Sequence, residues 1–161
     1  MNTYIDASHK CLPQMIRYIM DESYGSTNNP FVTSWVEIQA FDKNNINVAI
    51  HKHVKSNFEP SLDVTGQTGI KSITDNRITL SEWVSANIVN QKYLPLKIII
   101  DLGHLYEIHK LKLYHGWWTE RAYKNNVYVS HDGLNWIPVF QYKIDGLVIE
   151  KASKPLEILL S

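Results

Sequence analysis

The residues that could do chemistry in this chain are seven histidines, 16 acidic side chains, one cysteine and a tryptophan-rich segment. The histidines are scattered. His51 and His53 fall two apart on a predicted strand and so share a face, and His104 and His109 lie five apart around a turn. No His-Glu-x-x-His, Cys-x-x-Cys or Gly-x-Ser-x-Gly pattern occurs. The carboxylates form no pair that spacing alone brings together, and Cys11 has no evident activating partner. Without a nucleophile–base constellation the residues point away from an enzyme. What stands out is His115-Gly116-Trp117-Trp118-Thr119-Glu120-Arg121. An indole can stack on the apolar face of a sugar ring while an arginine donates in a fork to adjacent hydroxyls. Trp and Arg are equally the side chains that anchor a protein partner.

The elements around these residues read as strands. Val36, Ile38 and Ala40 alternate with Glu37 and Gln39 in Trp35–Phe41. Leu111 and Leu113 alternate with Lys110 and Lys112 in Glu107–Tyr114, and Val127 and Val129 share a face in Asn126–Ser130. Period-two alternation means one buried and one wet face. Lys97–Leu102 is a continuous apolar run, predicted as a central strand, and Leu156–Leu160 is a last strand tying down the C-terminus. Asp132-Gly133 and Asp145-Gly146 each sit between strand signals and predict hairpins, where the turn needs positive φ. Asp42-Lys43-Asn44-Asn45 is a polar turn, and Ser56–Gly69 reads as a long surface loop. Over His9–Asp21, helical and strand periodicities both fit. Trp83 and Trp136 each adjoin an apolar strand and read as core or core-rim residues.

At 161 residues the chain is long enough for one domain with a full core. Lys plus Arg balance Asp plus Glu at 16 each, which argues against a general nucleic-acid binder. One cysteine allows no intrachain disulfide, so the fold suits a reducing cytoplasm. Residues 1–20 carry no signal-peptide pattern, because Arg17 breaks the apolar stretch around Met15–Met20. No run approaches the roughly 20 apolar residues of a membrane span.

Several motifs share an order: Ile73-Thr74-Asp75-Asn76, Ser81-Glu82-Trp83, Ile98-Ile99-Ile100-Asp101-Leu102-Gly103, Arg121-Ala122-Tyr123, and Val127-Tyr128-Val129-Ser130-His131-Asp132-Gly133-Leu134-Asn135-Trp136. Together they resemble a discoidin domain, the coagulation factor V/VIII type C or galactose-binding-like jelly roll, and the resemblance covers nearly the whole chain. The family's closing elements come first here: Arg17-Tyr18-Ile19, Gly25-Ser26-Thr27-Asn28 and Trp35-Val36-Glu37-Ile38-Gln39-Ala40. Its opening, Asn47-Val48-Ala49-Ile50-His51-Lys52, follows them. The reading is therefore an all-β, discoidin-like jelly-roll β-sandwich, circularly permuted, spanning residues 1–161 as a single domain. Permutation is tolerated where chain ends meet at exposed loops. The permuted order resembles small domains of phage structural proteins, and it predicts Arg17–Ile19 as a strand. The alternative makes residues 1–46 the tail of a preceding domain.

The resemblance implies two sites. Discoidin domains often hold one structural Ca2+, and the matching residues are Asp75, Ser81 and Glu37, with backbone carbonyls from around Ile73 and Arg77. Such oxygens are the ligands calcium takes. Asn76 stands where the family has glycine, a position where Asn tolerates positive φ, and Thr79 competes with Ser81 for the hydroxyl role. Without a metal, Asp75 caps a turn and Glu37 is a solvated strand residue. Family 32 carbohydrate-binding modules, which share the fold, place their sugar residues on loops at one end of the sandwich. The residues so implied are His115, Trp117, Trp118, Glu120, Arg121 and Asn125.

The expectation is a non-enzymatic carbohydrate-binding or adhesion module. It would be a virion surface or tail component made in the host cytoplasm, contacting a galactose-type glycan or cell-surface polysaccharide for host attachment and touching other virion proteins. The runner-up is a structural virion protein, a capsid decoration or baseplate adaptor, that uses the jelly roll for protein contacts.

Overall fold

The computed structural model describes residues 4–27, 32–58, 69–79, 84–87, 95–116, 122–149 and 154–161. It is an all-β sandwich of two mainly antiparallel sheets. In chain order the strands are β1 (Tyr4–Asp6), β2 (Ile16–Ser26), β3 (Val32–Asp42), β4 (His53–Ser56), β5 (Val84–Asn87), β6 (Leu96–Tyr106), β7 (Ile108–His115), β8 (Ala122–Ser130), β9 (Trp136–Gln141), β10 (Val148–Ile149) and β11 (Leu156–Leu159). A 3-10 helix spans Ile70–Thr74, and a short helical turn, α1, spans Tyr142–Asp145. One sheet runs β1-β11-β7-β3-β5; the other runs β10-β8-β2-β6-β4, with β9 also on β8. No helix among the described residues is long and apolar enough to cross a membrane.

Strand alternation builds the core. Leu96, Ile98, Ile100 and Leu102 of β6 are buried, while Lys97, Ile99 and Asp101 between them are half-buried. They join Ile19 of β2 and Val127 and Val129 of β8 against Ile38 and Ala40 of β3, Leu111 and Leu113 of β7, and Leu156 and Ile158 of β11. The predicted central strand Lys97–Leu102 lies inside its sheet, between β2 and β4. Arg17-Tyr18-Ile19 is strand, and β2 and β3 are interior strands of the two sheets. β2 and β3 thus supply interior strands of both layers, and neither belongs to a separate helical unit.

The Asp132-Gly133 turn forms as the alternation predicts, with β8 and β9 paired antiparallel and Gly133 at φ 78. The Asp132 carboxylate accepts from the backbone N–H of Leu134 and of Asn135, and these bonds hold its pKa well below the usual carboxylate range. The second predicted hairpin, at Asp145-Gly146, does not form. Residues 142–145 coil as α1, because Asp145 accepts from the Gln141 N–H and the Gly146 N–H reaches the Tyr142 carbonyl. β10 then pairs with the start of β8 instead of turning back on its predecessor. His51 and His53 do not share a strand face, because His51 sits in a turn at φ 57 and β4 begins at His53. Most of the Ser56–Gly69 loop, residues 59–68, lies outside the described residues.

Candidate functional site

The inward-facing series of four strands change from apolar to polar toward one end of the sandwich. On β2, Ile19 is followed by Asp21 and Ser23; on β8, reading the same way, Val129 and Val127 are followed by Asn125. On β7, Leu111 and Leu113 are followed by His115, and the register sets His115 opposite Trp35 of β3. Four buried polar groups therefore converge. The Asp21 carboxylate accepts from Trp35 Nε1 at 3.0 Å and from His115 Nε2 at 2.7 Å on one oxygen, and from Asn125 Nδ2 at 3.0 Å on the other. A carboxylate oxygen only accepts, so His115 carries its proton on Nε2. The Asn125 amide nitrogen, 3.1 Å from Nε2, is then a neighbour of that group and not its donor. Asp21, His115 and Asn125 are each 0% exposed. A carboxylate at that depth is tolerated because three donors replace its hydration.

This network holds the two stems of the segment 117–121. His115 ends β7 and Asn125 lies four residues beyond that segment on β8. A second contact ties the same stems: the Tyr123 hydroxyl donates to the Gly116 carbonyl at 2.6 Å and meets Ser34 Oγ at 3.0 Å. Trp117, Trp118, Glu120 and Arg121 themselves lie outside the described residues. Of the six residues implied as sugar contacts, His115 and Asn125 therefore turn inward, to Asp21, and present no side-chain surface to solvent. Asp21 went unnoticed in the sequence. Its signal was a charge at an inward position of a strand, two residues beyond Ile19.

A second polar cluster lies where β3 meets the segment after the 3-10 helix. Glu37 is 0% exposed. Its Oε1 accepts from the Asn76 backbone N–H at 3.0 Å, while its Oε2 has no partner of good geometry among the described residues. Asp75 lies beside it and accepts from the Arg77 N–H at 2.9 Å. Burial, reinforced by the Asp75 carboxylate and opposed by the Asn76 N–H, pushes the Glu37 pKa up to about 9. Asn76 takes φ 65, a left-handed conformation that Asn tolerates better than most residues. Its side-chain oxygen accepts from Gln39 and Asn47, which fixes the turn against β3. The structure thus brings Glu37 and Asp75 together; Ser81 lies outside the described residues, and Thr79 is half-buried. Two adjacent acids with an orphaned buried oxygen are chemically suited to a hard cation. Among the described residues no cluster of three His, Cys, Asp or Glu side chains could hold a metal, so backbone and hydroxyl oxygens would have to complete such a site.

Of the other tryptophans, Trp35 is core and stacks on Phe58 at 5.5 Å between centroids, and Trp136 is half-buried with its edge on Tyr18. Trp83 lies outside the described residues. Comparison with protein-family models, with curated proteins and with solved structures finds no match to this chain.

Proposed function

We propose that this chain is a non-catalytic binding module, a circularly permuted discoidin-like jelly roll that engages a glycan through the segment 117–121. The observation that carries the reading is the Asp21–His115–Asn125–Trp35 network. It is a buried carboxylate that accepts from three donors and fixes two strand stems, and the segment between those stems contains Trp117, Trp118, Glu120 and Arg121. A recognition loop gains affinity when its ends are already ordered, because less entropy is lost on binding. In this reading His115 and Asn125 hold the flanking strand ends, and contact with sugar falls to Trp117, Trp118, Glu120 and Arg121. The permuted register is supported by the meeting of Glu37 with Asp75 and by the φ of Asn76. Glu37, Asp75 and a hydroxyl from Ser81 or Thr79 would hold one structural Ca2+, which would neutralise the paired acids and tie β3 to the turn.

A module of this kind suits a phage virion surface or tail, where many copies raise weak single-site affinity. The adaptor reading draws on two exposed apolar side chains at the ends of β9. Leu134 is 83% exposed in the β8–β9 turn and Ile144 is 76% exposed on α1. A glycan array with the intact protein separates the readings. Binding that is lost in Trp117→Ala, Trp118→Ala and Arg121→Ala but kept in Leu134→Ser and Ile144→Ser supports sugar recognition. Silence across galactose-type and cell-surface polysaccharides refutes it and favours the adaptor.

A further inference from the structure

A groove of about 510 Å³ opens between the start of β4 and the 3-10 helix Ile70–Thr74, away from the Asp21 network. Its described lining contains His51, Lys52, His53 and Lys71, and no acidic residue. His51, His53 and Lys71 are exposed and Lys52 is half-buried. No ion pair to any of these four occurs among the described residues; the Lys52 ammonium instead sits 5.9 Å over the Tyr106 ring. Asp101 is the acid opposite His53 across the β4–β6 register; of the interactions that hold its pKa down, Arg17 contributes the largest and His53 only the smallest. Arg17 holds it at 2.8 and 3.2 Å, and the Gly103 N–H adds a bond at 2.8 Å. The chain as a whole carries no net charge, so four basic groups on one concave surface are a local concentration and not a reflection of composition.

The walls are also fixed to each other. The His51 N–H donates to the Thr74 carbonyl at 2.7 Å, and the Thr74 hydroxyl donates to the Lys52 carbonyl at 3.0 Å. These bonds hold His51 in the left-handed region, at φ 57, a conformation that residues with a β-carbon seldom adopt. The two basic walls therefore keep their spacing without a ligand. A concave cationic surface with low-dielectric walls concentrates anions, and its imidazoles and ammoniums are all potential donors.

We infer that this groove binds the anionic group of a small ligand, a carboxylate, sulfate or phosphate, with Lys52 and Lys71 supplying charge and His51 and His53 supplying directional donors. This inference does not rest on the glycan reading, and the groove's described lining shares no residue with the Asp21 network. The test is a titration of the intact 15N-labelled protein with inorganic sulfate, inorganic phosphate and glucuronate, with galactose as the neutral comparison. Saturable shifts centred on His51–His53 and Lys71 are expected for the anions, with none for galactose. Affinity should fall about tenfold or more in a Lys52→Gln/Lys71→Gln double variant and stay unchanged in Lys43→Gln. A preference for glucuronate over both inorganic ions would assign a carboxylated sugar; the reverse preference would assign free sulfate or phosphate. Lys71→Gln alone, at an exposed position, is the variant expected to leave the fold intact. Equal affinity in Lys71→Gln, the double variant and the parent, or shifts spread over all the lysines, would overturn the assignment.

Discussion

Glu37 is the residue whose behaviour most directly tests the physical picture of the β3 corner. Its folded pKa of about 9 lies far above its ordinary value of 4.5. Between those values the native protein holds a proton that the unfolded chain releases. The sign follows from linkage: the stabilisation is full below pH 4.5 and is lost as pH rises toward 9. One proton corresponds to a slope of about 1.4 kcal/mol per pH unit, so raising the pH from 5.5 to 7.5 should remove about 3 kcal/mol at most. Glu37→Gln keeps the acceptor for the Asn76 N–H, keeps the shape and removes the ionisable group. Urea unfolding of the parent and of Glu37→Gln at half-unit intervals from pH 5 to 8, in chelator, should give curves that diverge, with the variant gaining on the parent as pH rises. Parallel curves would refute the burial argument. Adding calcium extends the test, because a cation at Glu37 and Asp75 displaces the proton. Stabilisation by calcium should be larger at pH 8 than at pH 5.5 and absent in the variant. A parent indifferent to calcium at both pH values would remove the metal from the proposal while leaving the proton argument intact.

Three further outcomes follow from the same geometry. His115→Ala should cost about 3–5 kcal/mol in denaturant unfolding, because it strips a donor from a buried carboxylate and leaves a void. Asn76→Ala should cost about 1–2 kcal/mol, and Asn76→Gly should be milder by about 1 kcal/mol, since only the first forces a β-carbon into the left-handed region. Asp132→Ala should lower the thermal midpoint and speed amide exchange at Leu134 and Asn135. The parent should lose that advantage in acid, since a depressed carboxylate pKa stabilises above its ordinary value and ceases to as pH falls.

The strands were legible because their periodicity is local. Lys97 to Leu102 is an apolar run of strand length, Leu111 and Leu113 alternate with lysines, and the Asp132-Gly133 turn has both its glycine and its aspartate clamp in adjacent positions. Arg17–Ile19 was ambiguous by pattern alone, and became strand in the sequence only through the order of motifs. Tertiary partners decided the rest. Nothing near Asp145 predicts that it will bond the Gln141 N–H and coil the chain into α1. His115 and Asn125 carry surface-like chemistry, and only the cross-strand register reveals that they face Asp21. Glu37 alternated with Val36 and Ile38 as a wet residue should, yet the turn carrying Asn76 covers that outer face and buries it.

The pairing of β1 with β11 has a mechanical meaning. The two strands run parallel, Tyr4 beside Glu157 and Asp6 beside Leu159, so the chain flanks leave the pair from opposite ends. Force applied between those flanks would load the ladder lengthwise, with every bond bearing at once, instead of peeling them open one by one. β11 is in turn laced to β7 inside the sheet, which passes that load into the body of the sandwich. A subunit fastened through both flanks would resist being pulled apart far better than one gripped at a hairpin.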